Sequence, residues 1–472
     1  MAVGTENTLH WSSATGDNAT MLEQLQPNIL KGHVRDHLSV LFLHFDVQAE
    51  GRAFLRAVRG MMKSAKKHLE EARQFKLDGT DGTPYVGVGL TAAGYTALGV
   101  APVPPDAQFL QPGGMKGSRT SLQDPVVSTW DPAYQGEIHA VVLVGDAQNR
   151  QQRYETTRHA VLGLLTDGIT VLGEELGRSL VNTNGHGIEH FGYVDGRSQP
   201  LFLDEDIEDE TDEQDGTDNW DPAFPLKQVI VEDPAAPNPS THFGSYFVFR
   251  KLEQNVALFK QGEDDLADRL GLVGPDRERA GAMLVGRFED GTPLTLQNDA
   301  GSHEPVMNNF DYGSDEDGSK CPFHAHIRKA NPRGFGGAPD GNPTDIPFER
   351  SHIMARRGQT YGQRSDDPGA DLPLTARPTR GVGLLFMAFN SDIAAQFEFT
   401  QEAWVNNPNF PFTSPTPAGL DPVIGQGHRP STNFPVEWGE DERKETNTVA
   451  QAVTMKGGQY FFFPSLAFLD QF

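Results

Sequence analysis

An α+β fold of two ferredoxin-like domains with antiparallel sheets is predicted for this chain, and three observations predict it. Between residues 38 and 172, apolar runs of strand length and segments of helical period follow one another as β-α-β-β-α-β, the split βαβ pattern. A second half starts the same rhythm near residue 246 and then breaks it with a long insertion. The 472 residues include 50 Gly and 33 Pro, well above average usage, which calls for long loops between the elements.

Taken in order, residues 38–47 (LSVLFLHFDV) read as a buried strand. Phe54, Leu55, Val58, Met61, Met62, Ala65 and Leu69 then recur at helical spacing. Residues 85–90 form a second strand, and Thr91 is placed to cap a short helix ending near Gly99. Residues 138–144 make a third strand, 151–165 a second long helix and 169–172 a fourth strand. In the second half a strand at 246–252 leads into a helix through about Leu272. Residues 286–380 are Gly/Pro/Asp-rich, and loops of that length inside a compact domain are usually functional. Strand character returns at 384–389, helix at 393–405 and strand at 460–463. The expected domains are residues 1–202 and 223–472, the second carrying the insertion, with an acidic linker or loop at 203–222 between them.

The net charge is −26, from 65 Asp and Glu against 39 Lys and Arg. Such a chain repels phosphate backbones and anionic headgroups, so no nucleic-acid or membrane partner is expected. No basic and apolar leader opens the chain and no run of about 18 apolar residues occurs, so a cytoplasmic location without a membrane span is expected. The lone Cys321 excludes an intramolecular disulfide. Residues 203–221 hold 11 acidic and no basic side chains, which reads as a self-repelling, mobile linker, or as a divalent-cation site lacking the EF-hand pattern.

Three segments carry candidate chemistry. In the first, residues 190–200, Asp195 sits among apolar residues between Gly192 and Gly196. Glycines admit close approach by a flat ligand, and an apolar setting makes a carboxylate a candidate proton shuttle. In the second, residues 321–333, His324 and His326 suit two zinc ligands or one axial haem ligand, and Cys321 offers a thiolate alternative. In the third, residues 352–362, Arg356 and Arg357 follow an apolar stretch and precede Gly358; an arginine there suits charge developing on a metal-bound peroxide.

In this order the segments resemble the dye-decolorising peroxidases. The family's Gly-x-x-Asp-Gly matches Gly192 to Gly196, its Cys-Pro-Phe-x-Ala-His-Ile-Arg-Lys matches Cys321 to Lys329, and its Arg-x-Gly-x-x-Tyr-Gly matches Arg356 to Gly362. Leu384 and Phe386 stand at the family's apolar distal positions, Gln396 to Phe399 reads as its Gln-Phe-Glu-Phe, and Leu25 to Leu30 is similar to its N-terminal motif. The resemblance runs from about residue 24 to 472, and the length is that of the longer, advanced subgroup.

It implies a b-type haem in the C-terminal domain with His326 on the iron, Glu398 accepting a hydrogen bond from the other imidazole nitrogen, and Arg333 paired with a haem propionate. It also implies that Asp195 moves a proton between the peroxide oxygens and that Arg356 holds the bound peroxide. The implied substrates are hydrogen peroxide and dye or phenolic reductants, with Mn(II) as a further reductant. Tyr361, with Trp404 and Trp438 behind it, is the candidate electron relay near the surface. The rival classes are a chlorite-decomposing or deferrochelating haem protein on the same scaffold, and a non-enzymatic haem or metal binder using His324 and His326.

Overall fold

The first strand, β1 (His37–Phe45), is buried except at His44, as its mainly apolar run of Leu, Val and Phe requires. It leads into α1 (Gln48–Arg59), which buries Phe54, Leu55 and Val58 on one face. The computed structural model describes residues 3–472 apart from 302–304, 341, 343–344, 365, 371 and 447–448. The helical period expected to run on through Leu69 is divided. Gly60 ends α1, and Ser64 Oγ, accepting from Lys67 N at 3.2 Å, starts a separate helix, α2 (Ala65–Asp78). Strand β2 (Tyr85–Leu90) follows, and Thr91 caps the next short helix through a 2.9 Å bond from Gly94 N. Strand β3 (Ala140–Asp146), α3 (Gln151–Leu162) and β4 (Ile169–Arg178) complete the first unit, with β4 extending beyond the expected residue 172.

These strands lie in the order β2-β3-β1-β4, all antiparallel, which is the ferredoxin-like arrangement. The second unit is built on β5 (Val231–Glu232), β6 (Phe243–Gln254), β7 (Ala355–Arg356), β8 (Gln359–Tyr361), β9 (Gly383–Asn390) and β10 (Val453–Phe463). Helix α5 (Val256–Leu270), capped by Asn255 Oδ1 and closed by Gly271 at φ +78°, and α6 (Glu278–Val285) pack on one side. Among the described residues the strands join one ten-stranded sheet, β5-β6-β10-β2-β3-β1-β4-β8-β9-β7, and β6 also pairs with β9. The sheet therefore closes into a ring. Its two seams are narrow: Phe462 opposite Leu90, and Tyr361 opposite Gly177. Phe42, Phe249 and Phe461 meet inside, with Phe42 and Phe249 centroids 5.0 Å apart.

The acidic run is not a mobile linker. Residues 204–213 form α4 (Asp204–Glu213). Asp204, Glu205 and Asp206 sit in its first turn, where the helix dipole favours anions. Cations from elsewhere offset the self-repulsion: Lys31 binds Asp206, Lys76 lies 2.7 Å from Asp209, and Arg197 lies 3.1 Å from Glu210. No described helix is long and apolar enough to cross a membrane.

Candidate functional site

A cavity of about 670 Å³ collects residues from all three segments. Its size falls in the usual range for a bound organic ligand, ~300–1,000 Å³. Asp195, Gly196, His326, Arg333, Arg356, Leu384 and Phe386 all line it.

His326 is the first residue of a short helix, α7 (His326–Ala330). The next residues explain the Ile-Arg-Lys that follows it. Arg328 pairs with buried Asp315 at 2.9 Å and lies 4.5 Å over the rings of both Tyr312 and Phe323. Lys329, wholly buried, donates to Asn407 O, Phe410 O and Gly419 O at 2.6–2.7 Å, and burial brings it down to about 7. Arg328 thereby ties α7 to the segment from Asp315 to Cys321, and Lys329 ties it to the segment leading to Asp421. There the expectation for Glu398 is corrected: His326 Nδ1 meets Asp421 Oδ2 at 2.7 Å. Glu398 accepts instead from Tyr460 Oη at 2.7 Å and from Ser118 Oγ. Asp421 is fully buried, and its other oxygen accepts from Val423 N at 2.7 Å and Ile424 N at 2.9 Å. Burial opposes both charges, yet the pairing raises the His326 pKa and lowers that of Asp421. With Nδ1 committed, Nε2 is the nitrogen left for a ligand. Asp421 escaped sequence reasoning because 95 residues separate it from His326; its only local signal is the Asp-Pro turn.

The opposite wall is made by Asp195 and Arg356. Arg356 sits on the two-residue β7, paired with Ala388 of β9, and its backbone N donates to Gln199 Oε1 at 3.0 Å. Its Nη2 donates to Arg197 O at 2.7 Å, and Nη1 lies 3.7 Å from Asp195 Oδ1. The Asp195 side chain is 37% exposed, so it faces the cavity rather than the apolar burial expected for it. Gly196, at φ +85° with open space where a Cβ would stand, borders the cavity. Gly192 does not. Its φ of +102° also suits glycine, but a Cβ there would meet Pro368 O at 3.2 Å, within the protein.

Two buried guanidiniums, Arg287 and Arg333, border the same cavity, and burial brings them down to about 9 and about 10. Arg287 Nη2 has no hydrogen-bond partner among the described residues. The fork expected from Arg333 is already in use: Nη1 donates to Asn308 O and Phe310 O, Nη2 to Ser198 Oγ and Asn308 Oδ1. Arg333 thus offers the cavity charge rather than a free fork.

Several candidates lie elsewhere. His324 is buried beside a separate small pocket, edge-on to Phe434, and desolvation takes it down to about 3. The two histidines therefore do not form one ligand pair. Cys321 is fully buried, does not line the cavity, and burial pushes its thiol up to about 12, so it offers no thiolate. Tyr361 and Trp404 are 7% and 2% exposed, so neither is a surface relay. Trp438 is partly covered and donates to Leu294 O at 2.8 Å. One other group among the described residues converges like a metal site: His44, Glu137 and His139. His139 Nδ1 accepts from Phe45 N at 2.9 Å, which assigns its proton to Nε2, facing Glu137 Oε1. That tautomer leaves no lone pair for a metal.

No protein-family model matches the chain. Over 472 residues it is 60% identical to the multifunctional dye peroxidase DyP2 of an Amycolatopsis species, covering 99% of each chain. The solved DyP2 structure superimposes with a TM-score of 0.96 over 100% of both chains. A DyP-type peroxidase structure from an Anabaena species is similar at 37% identity and a TM-score of 0.89, covering 99% of this chain and 98% of the other. A dye-decolorizing peroxidase solved with 2,6-dimethoxyphenol gives 26% identity and a TM-score of 0.74, over 95% and 98% of the two chains.

Proposed function

Because this chain belongs to the dye-decolorising peroxidase family, we propose that its cavity holds a b-type haem, with His326 on the iron and Asp195 and Arg356 on the peroxide side. The chain is a haem-dependent peroxidase that reduces hydrogen peroxide and oxidises dyes and phenolics in one-electron steps. The observation that carries the site assignment is that the His326–Asp421 pair and the Asp195–Arg356 pair open on one cavity. The residues present fit the cofactor. Leu384, Phe386 and Phe397 suit a flat apolar ring, and Arg287, with an unpartnered nitrogen, and Arg333 supply positive charge for anionic substituents. Cys321, away from the wall, supports a non-covalent haem.

Bound there, the haem supplies the iron at which peroxide is reduced and electrons from the donors are collected. The chain's own part is proton handling. Asp195 takes a proton from the near peroxide oxygen and gives it to the far one, so that water departs. Arg356 orients the peroxide and offsets negative charge as the O–O bond breaks. Asp421, hydrogen-bonded to His326 Nδ1, fixes the tautomer and the ring plane and makes Nε2 more basic. The visible spectrum of the purified protein, recorded before and after hydrogen peroxide, tests this reading; a spectrum without a Soret band, or one that peroxide leaves unchanged, overturns it.

For bulky donors the relay proposal shifts from Tyr361 towards Trp404 as an inner step, since neither ring reaches the surface itself. The Tyr361 ring lies 5.0 Å beneath Lys251 Nζ, and its buried hydroxyl has no partner to receive a proton, so its oxidation is disfavoured. Trp404 lies 5.4 Å from His352, a residue of the cavity wall, and stacks on Phe410. Trp404→Phe is expected to lower turnover of a bulky dye more than that of a small phenol, with Tyr361→Phe weaker in both. Equal losses for both donors in steady-state assays remove the relay.

Mn(II) is a narrower proposal, supported by the chain's excess of 65 Asp and Glu over 39 Lys and Arg; Glu263 and Glu289, near the cavity, are already committed to Lys260 Nζ. Carboxylate oxygen donors suit a hard divalent ion. Mn(III) is expected to form with peroxide in a chelating buffer. Its absence under conditions that support dye oxidation removes Mn(II) from the substrates.

A further inference from the structure

Glu189 stands on the cavity wall, and no step above uses it. Its carboxylate is held from three directions: Oε2 accepts from Phe191 N at 2.8 Å, Oε1 from Tyr193 N at 3.1 Å, and Gln254, the last residue of β6, donates to Oε2. Its backbone closes the same turn, with Glu189 N donating to Tyr193 O at 3.1 Å and Gly192 N to Glu189 O at 3.0 Å. Asp195 follows directly, tied by its own N to Gly187 O at 3.0 Å. The segment from Glu189 to Asp195 is therefore one turn clasped by one carboxylate. We propose that Glu189 is a positioning residue for peroxide reduction, its carboxylate fixing the turn that presents Asp195 to the cavity.

The inference rests on the assignment of proton transfer to Asp195. Two features mark the clasp as more than surface decoration. Burying a carboxylate is costly unless donors surround it, and here two backbone N–H groups and one amide do. A glutamine of the same shape would turn an NH₂ toward one of those donors and lose the clasp. Burial also pushes Glu189 up to about 7, with the N–H donors pulling it down and the Asp195 charge adding to the rise.

Stopped-flow mixing of the holoenzyme with hydrogen peroxide, across pH, tests the proposal in a cycle of Glu189→Gln, Asp195→Asn and the double variant. Misplacing a reacting group by about 1 Å can cost on the order of 100-fold, so Glu189→Gln is expected to slow the peroxide-driven absorbance change at least ~10-fold with haem content retained. In the Asp195→Asn background the same substitution should add less than about twofold, because both changes act through one group. The parental rate profile should also bend near neutral pH as Glu189 ionises; Asp195 is the charged group facing it, while Gln254 and the backbone donors are neutral. Glu189→Gln should lack this bend and Glu189→Asp should retain one. Equal slowing in both backgrounds, or none in either, overturns the proposal. If Asp195→Asn alone reacts at the parental rate, the proton-transfer assignment fails instead, so the two failures are told apart. Should Glu189→Gln not fold, Glu189→Asp carries the same cycle.

Discussion

His326→Ala is expected to emerge from purification without most of its haem, seen as loss of the Soret band relative to protein absorbance. The other histidine on the cavity wall, His352, has its ring stacked on Phe399 at 3.6 Å and its Nδ1 bound to the neutral Ala395 O, so it lacks the carboxylate partner that His326 has in Asp421. His324→Ala should keep its haem, since that ring sits in another pocket. Asp421→Asn is the graded case. It keeps the shape but removes the anion paired with Nδ1, and loss of such a partner typically costs 10–100-fold in metal affinity or activity. A normal Soret band in His326→Ala together with its loss in His324→Ala would reverse the ligand assignment.

The second large effect is expected on the opposite wall. Asp195→Asn should retain haem yet slow the peroxide-driven absorbance change by 10²–10⁴-fold, the usual weight of one positioned acid–base group. An amide of the same size cannot accept and return the proton. Arg356→Leu should slow the same step by weakening peroxide binding and removing the charge that offsets the departing oxygen. The 3.7 Å separation of the two side chains places both within reach of one small ligand. Parental kinetics in Asp195→Asn alongside slowed kinetics in Arg356→Leu would make the arginine the main catalyst and leave Asp195 a gating role.

Much of this was legible from the chain. Strand β2 has the expected bounds, Thr91 caps where its hydroxyl and position indicate, and Asp195, His326, Arg356, Leu384 and Phe386 share one cavity. What was not legible depends on contacts distant in sequence. Asp421 reaches His326 from 95 residues further along the chain, and its Asp-Pro turn alone does not single it out. Helix α4 reads as disordered because its sequence shows only repulsion; the cations that offset it come from Lys31, Lys76 and Arg197. Exposure is equally hidden: Tyr361 looks like a surface tyrosine in its loop, yet a seam of the sheet covers it. The Glu398 expectation followed the motif, but Tyr460 and Ser118 hold that carboxylate elsewhere.

The ring closure of the sheet has a consequence for how the protein resists association and unravelling. A strand left at a sheet edge exposes a row of unpaired backbone groups that invites pairing with another chain. Here β1, β3, β6 and β9 are paired on both sides, β2, β4 and β10 are paired along one side and joined on the other by a single pair, and the strands that end the order, β5 and β7, are two-residue stubs. A neighbouring molecule thus finds no open edge on those four strands, and on β2 and β4 only an edge already interrupted by a seam. Because the circle is sewn at two one-pair seams, detaching either half means opening both together. Arg356, proposed to hold the peroxide, rides on one of the stubs, so the strand that ends the sheet's order also delivers a guanidinium to the cavity.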